Sequence, residues 1–157
     1  MKEQKYIIAE GSEPIPCEMY IDFAVYSEED GFHPSDLTQI LQIEPTVILY
    51  KGDMIYKGDM ISENLYRNET CWRLNTPCIK TFEFEEVFKM LMSILDGKVE
   101  LLGKFVKENN LTIKLYPVIT VFNNQPCIII SKEIAEILLV LDATIEFDFY
   151  FINEKTE

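Results

Sequence analysis

Histidine and tryptophan occur once each in the chain of 157 residues, as His33 and Trp72, and glycine only six times. One imidazole cannot supply a histidine-based metal set, and no glycine-rich phosphate cradle is present. The four cysteines, Cys17, Cys71, Cys78 and Cys127, form no Cys-x-x-Cys pair and are too widely spaced for a disulfide framework, so reduced thiols and no metal are expected. Basic side chains are scarce: 14 Lys and Arg against 27 Asp and Glu leave a net charge of −13. That charge repels phosphate backbones and anionic lipid, which argues against nucleic acid and membrane and favours a basic protein as partner. The deficit is concentrated, with −8 over residues 1–49, −1 over 50–110 and −4 over 111–157. No apolar run approaches about 18 residues, and Met1-Lys2-Glu3-Gln4-Lys5 leads into only a few apolar residues before Glu10. A cytoplasmic location is expected. A nucleophile with its base is missing too, so no catalytic residue and no cofactor are assigned.

What is present is an ordinary globular composition, 48% apolar and 26% charged. At this length one domain over residues 1–157 is expected, since single domains run to about 100–200 residues. Met19 to Tyr26 alternates with period two, which predicts a half-buried strand with Met19, Ile21, Phe23 and Val25 inward and Tyr20, Asp22 and Tyr26 outward. His33-Pro34-Ser35-Asp36 opens a helix with Leu37, Ile40 and Leu41 on its buried stripe, and Glu44-Pro45 ends it. Residues 46–78 are the least regular part and hold an exact tandem hexapeptide, Tyr50-Lys51-Gly52-Asp53-Met54-Ile55 and Tyr56-Lys57-Gly58-Asp59-Met60-Ile61. Lys-Gly-Asp is turn chemistry, so the duplication reads as a lengthened surface loop. Thr70 to Leu74 then forms a short strand with Trp72 half buried.

Phe84, Val87, Phe88, Leu91, Ile94 and Leu95 recur at helical spacing up to Gly97, and a second helix carries Val99, Leu102, Phe105 and Val106 as far as Asn109-Asn110. Leu111–Phe122 and Cys127–Ile130 read as a hairpin, with Pro117 marking a bulge or an edge. Ser131 caps a helix through Leu141. Thr144–Ile152 is a last strand, with Ile145, Phe147, Phe149 and Phe151 on one face and Glu146, Asp148 and Tyr150 on the other.

These elements define the α+β class: an antiparallel or mixed sheet of about five to six strands, with three to four helices mainly on one face. Their order also allows two ferredoxin-like halves. Tyr20, Asp22, Tyr26, Glu146, Asp148 and Tyr150 would share one acidic, aromatic sheet face suited to a basic protein, and Trp72 joins them as a candidate binding residue. Function is therefore expected to be non-catalytic binding. The alternative is a small-molecule-binding or regulatory module using that face and Trp72. A third is a small enzyme in which Asp22 and Asp148, on neighbouring strands, share a proton.

The ordered set of Phe23-Ala24-Val25-Tyr26, Leu41-Gln42-Ile43-Glu44-Pro45-Thr46, the Lys-Gly-Asp turn, Cys71-Trp72-Arg73-Leu74 and Leu141-Asp142-Ala143-Thr144-Ile145-Glu146-Phe147-Asp148-Phe149-Tyr150 resembles the bacterial domain-of-unknown-function family 4279, from about Glu18 to Phe151. The resemblance implies a small cytosolic protein with no established activity and no catalytic residues to carry over. Some such families neighbour toxin systems as immunity proteins, which suggests by analogy a protein that neutralises a basic toxin. The doubled hexapeptide departs from the family pattern and leaves two candidates, Lys51-Gly52-Asp53 and Lys57-Gly58-Asp59, for its turn.

Overall fold

A computed structural model describes residues 13–57 and 60–152. The chain runs β1 (Cys17–Ser27), α1 (Pro34–Leu41), β2 (Val47–Leu49), β3 (Met54–Lys57), β4 (Met60–Tyr66), β5 (Thr70–Asn75), β6 (Ile79–Thr81), α2 (Phe84–Leu95), α3 (Val99–Glu108), β7 (Thr112–Val121), α4 (Lys132–Leu141), β8 (Ala143–Ile145) and β9 (Asp148–Phe151). Seven strands form one mixed sheet in the order β2-β5-β1-β7-β8. In it β6 continues β5 along β1, and β9 continues β8 along β7. β1 lies antiparallel to β5, β6 and β7, whereas β8 and β9 run parallel to β7. The two halves of the chain thus meet at the β1–β7 pair in a single sheet.

The period-two pattern of β1 is realised as read: Met19, Ile21, Phe23 and Val25 are each at most 1% exposed. They join the inward residues of β5 and β7 and apolar residues from all four helices in one core cluster, so the helices cover one face of the sheet. α1 begins at Pro34, with Leu37 and Leu41 buried. Ile40, expected inside, is 40% exposed, because the short helix turns only a narrow stripe inward. α1, α2 and α4 end on left-handed residues, Gln42, Asp96 and Asp142, and the Ser131 hydroxyl caps α4 by accepting from the Ile134 amide at 3.3 Å. α3 and α4 pack closely enough that a Cβ on Gly103 would collide with the Val140 carbonyl.

Four sequence expectations about the strands are corrected. Residues 46–78 are not an irregular stretch but contain β2, the separate hairpin β3–β4 and β5. The first hexapeptide makes the turn, where the Asp53 amide donates to the Tyr50 carbonyl (3.1 Å) and Gly52 adopts φ 88°. The second lies at the hairpin tip: Lys57 pairs with Met60, and Gly58 and Asp59 fall outside the described residues.

Cys127–Ile130 is not the second arm of a hairpin. Pro126 has no amide to offer a ladder, and Cys127 bonds the α2 lead-in instead, donating to the Phe82 carbonyl (2.6 Å) and accepting from the Phe84 amide (3.1 Å). Nor is Pro117 at an edge or a bulge: it is buried in the interior strand β7, in unbroken register with Ile21. The parallel register places its nitrogen towards Glu146, at the gap between β8 and β9. The one amide the sheet lacks there is the one that would have donated to the Glu146 carbonyl, and this divides the expected single strand 144–152 in two. A comparable break separates β5 from β6. Asp22 pairs with Asn75 and Met19 with Ile79, which leaves one extra residue on the β5–β6 side, and the Thr76 hydroxyl accepts the Ile21 amide at 2.9 Å.

Candidate functional site: the open sheet face

Because side chains alternate along each strand, the residues between the core positions share the opposite face, and every helix lies on the core side. The register aligns them in rows: Tyr20 opposite Val118, Asp22 between Asn75 and Tyr116, and Tyr26 between Cys71 and Thr112. Thr144 lies opposite Lys114, Asp148 opposite Val118 and Tyr150 opposite Thr120. Of the residues singled out in the sequence, Tyr20, Asp22, Tyr26, Asp148 and Tyr150 therefore do share a face, and Glu146 reaches it through Lys114, 3.9 Å away.

The exception is Trp72. It is not half buried but 0% exposed, on the core side, with its indole N–H donating to the Thr38 hydroxyl at 3.0 Å. In β5 it is the neighbouring residues, Cys71 and Arg73, that point to the open face. Asp22 and Asp148 are not on adjacent strands either. β7 lies between them, and two strand spacings alone separate their strands by about 10 Å, too far to share a proton.

The centre of the face is an ion pair that sequence reading missed. Arg73 donates to Asp22 Oδ2 at 2.8 Å, with side-chain exposures of 30% and 17%. Asp22 Oδ1 and Arg73 Nε have no hydrogen-bond partner among the described residues. Burial pushes the Asp22 carboxyl above its ordinary range, and the Arg73 charge offsets this only in part. Burial also raises the Cys71 thiol, although the neighbouring Arg73 works against this. Tyr116 has Arg73 and Lys114 each 6.0 Å from its ring centroid, an arrangement favourable to cation–π attraction, and burial raises its phenol. Lys114 in turn is raised by the neighbouring Tyr116 and Tyr26. At the far side the Tyr150 hydroxyl donates to Asp148 at 3.0 Å.

Electrostatically the face is less acidic than its sequence-predicted members imply. Glu18 pairs with Lys80 (3.8 Å), Asp22 with Arg73 and Glu146 with Lys114, which leaves Asp148 as the acid of this group without a cation among the described residues. The missed residues, Arg73, Lys114 and Tyr116, carry a partial signal. The alternation Lys114, Tyr116, Val118, Thr120 between apolar Ile113, Leu115 and Ile119 is legible, but which strand neighbours β7 is not.

Other chemistry is dispersed. Cys17 and Cys71 are buried, Cys127 is half buried and Cys78 is exposed, all as free thiols. Among the described residues no three His, Cys, Asp or Glu side chains gather around a common point, and no helix is long and apolar enough to cross a membrane. His33 is exposed at the start of α1 and makes no side-chain capping bond.

Fold and face together define a small α+β protein with helices on one side of a mixed sheet and, on the other, tyrosines among paired charges. The chain belongs to the family described as Domain of unknown function (DUF4279), whose profile matches residues 17–152, from the first residue of β1 to just past β9. No curated protein and no solved structure matches it.

Proposed function

We propose that the protein is a cytoplasmic, non-catalytic binding protein that takes a basic protein partner on its open sheet face, in the manner of an immunity protein neutralising a basic toxin. The observation that carries this reading is the face itself. Tyr20, Tyr26, Tyr116 and Tyr150 lie on the side opposite every helix, among charged groups: Tyr116 beside Arg73 and Lys114, and Tyr150 against Asp148. Tyrosine supplies contact area and a hydrogen bond with little side-chain entropy to lose, and a net charge of −13 speeds encounter with a positive surface. The internal ion pairs suit such a partner as well. They hold the central carboxylates in place, so steering falls to the acids at the rim, such as Asp148.

Affinity purification from native lysate at low and at raised salt, with the bound proteins identified by mass spectrometry, tests the reading. A single basic protein that is lost as salt rises, and whose capture fails with a Tyr20→Ala/Tyr150→Ala variant, is the expected result. Equal capture by that variant rules out the open face as the docking surface.

A further inference from the structure

β9 closes one edge of the seven-stranded sheet. Glu146 and Ile152 donate their amides to the Leu115 and Val121 carbonyls of β7, each at 2.9 Å. In a parallel ladder alternate residues turn both N–H and C=O to the same neighbour, so Asp148 and Tyr150 also face β7. Phe149 and Phe151 turn theirs outward, where no strand among the described residues meets them.

Natural sheet edges are guarded by shortness, charge, proline or a bulge; β9 is short and carries one charge, Asp148, whose side chain lies on the open face, but no lysine, proline or bulge. All four residues are exposed, Phe151 by 67%. The two sides of the strand differ in chemistry. Phe149 and Phe151, with Val121, Pro126 and Ile128, line a cleft of about 270 Å³, and the rings of Phe147, Phe149 and Phe151 stack in a row at 6.3 and 6.2 Å. Asp148 and Tyr150 occupy the other side. Glu146, just before β9, pairs with Lys114 at 3.9 Å, so Asp148 is the acid on the strand itself without a cation among the described residues.

We propose that β9 accepts an extended segment of a basic protein as an added strand, its apolar side chains in the Phe149–Phe151 cleft and its alternate lysines or arginines beside Asp148 and Glu146. This rests on the basic-partner reading and adds the mode of docking. Main-chain hydrogen bonds to Phe149 and Phe151 hold the segment, alternation selects its pattern, and the acids select its charge. A second copy of this chain is the poorer occupant, because it would bring another −13 to the same edge.

The probe is a short synthetic peptide alternating lysine and valine, titrated at physiological salt into isotope-labelled protein while backbone amide exchange is followed by NMR. The Phe149 and Phe151 amides become protected, and those of Asp148 and Tyr150 change little. A peptide N-methylated on its edge-facing amides binds at least about tenfold more weakly, as does a Phe151→Pro variant, whereas Phe151→Val, which keeps the amide and loses only part of the cleft wall, weakens binding less than Phe151→Pro. Thermal denaturation establishes that Phe151→Pro is folded, and the N-methylated peptide removes the same bond without altering the protein. If the peptide perturbs Tyr20, Tyr26 and Tyr116 while the Phe149 and Phe151 amides go on exchanging, or if N-methylation leaves affinity unchanged, the edge proposal is overturned and the face reading stands. No binding to either surface overturns both.

Discussion

A sheet face that looks acidic residue by residue is internally balanced once its partners are placed. Arg73 carries most of that balance, because it meets Asp22 where water has little access. Replacing Arg73 with Met should cost about 1–3 kcal/mol by leaving a mostly buried carboxylate without its donor. Lys80→Met, at an exposed and longer pair, should cost under about 1 kcal/mol. Urea denaturation of the two variants tests the ordering, and equal losses would refute it. Cys71 and Tyr116 make the face sensitive to alkali. Burial raises both groups, so the folded protein keeps protons that the unfolded chain gives up. Their contribution to stability is complete below the ordinary thiol value of about 8.5 and is lost as pH climbs through the raised folded values. The melting temperature should therefore fall from about pH 8.5 upward, and less steeply in a Cys71→Ser variant.

Between elements, close approach and missing amides set the layout. Gly103 allows α3 to pack against the end of α4, and Gly103→Ala should destabilise by about 1–3 kcal/mol through that steric conflict, read as a lowered midpoint in thermal or urea unfolding. Pro117 interrupts β8–β9 without disturbing β1–β7, a division invisible in the alternation of residues 144–152. The hairpin β3–β4 lies off the seven-stranded sheet, anchored at its base by Lys51, which donates to the Glu28 carbonyl at 2.7 Å and pairs with Asp30 at 3.0 Å. Because the two hexapeptides are identical, deleting either gives the same chain. That chain should keep the core sheet, with stability changed by less than about 1 kcal/mol, since closure entropy varies only logarithmically with length. Loss of the cooperative transition in circular dichroism would show that the hairpin supports the sheet.

For the whole molecule, the single tryptophan reports on the core and not on the binding face. Trp72 should emit as a buried indole and should respond to unfolding but not to a partner docked on the open face. Its removal as Trp72→Ala should cost about 3–5 kcal/mol, the loss typical of a large buried aromatic. Partner association should slow as ionic strength rises, because a charge of −13 acts over distances that salt screens. A stopped-flow series against salt measures this directly.

Periodicity together with cap and proline chemistry determined β1, the four helices, the α+β class, the Ser131 cap and the opposite faces of residues 144–152, because those features depend on contacts within a few residues and on which side of an element is apolar. The ordered motifs were also sufficient to indicate the family. Tertiary structure decided what depends on distant partners: that β7 separates Asp22 from Asp148, that Arg73 and Lys114 neutralise Asp22 and Glu146, and that Trp72 faces inward. It also decided that Cys127 pairs with the start of α2 and that Pro117 divides the last strand. Strand order and register bring together residues tens of positions apart, and nothing in the local spacing of a single chain encodes which strands become neighbours.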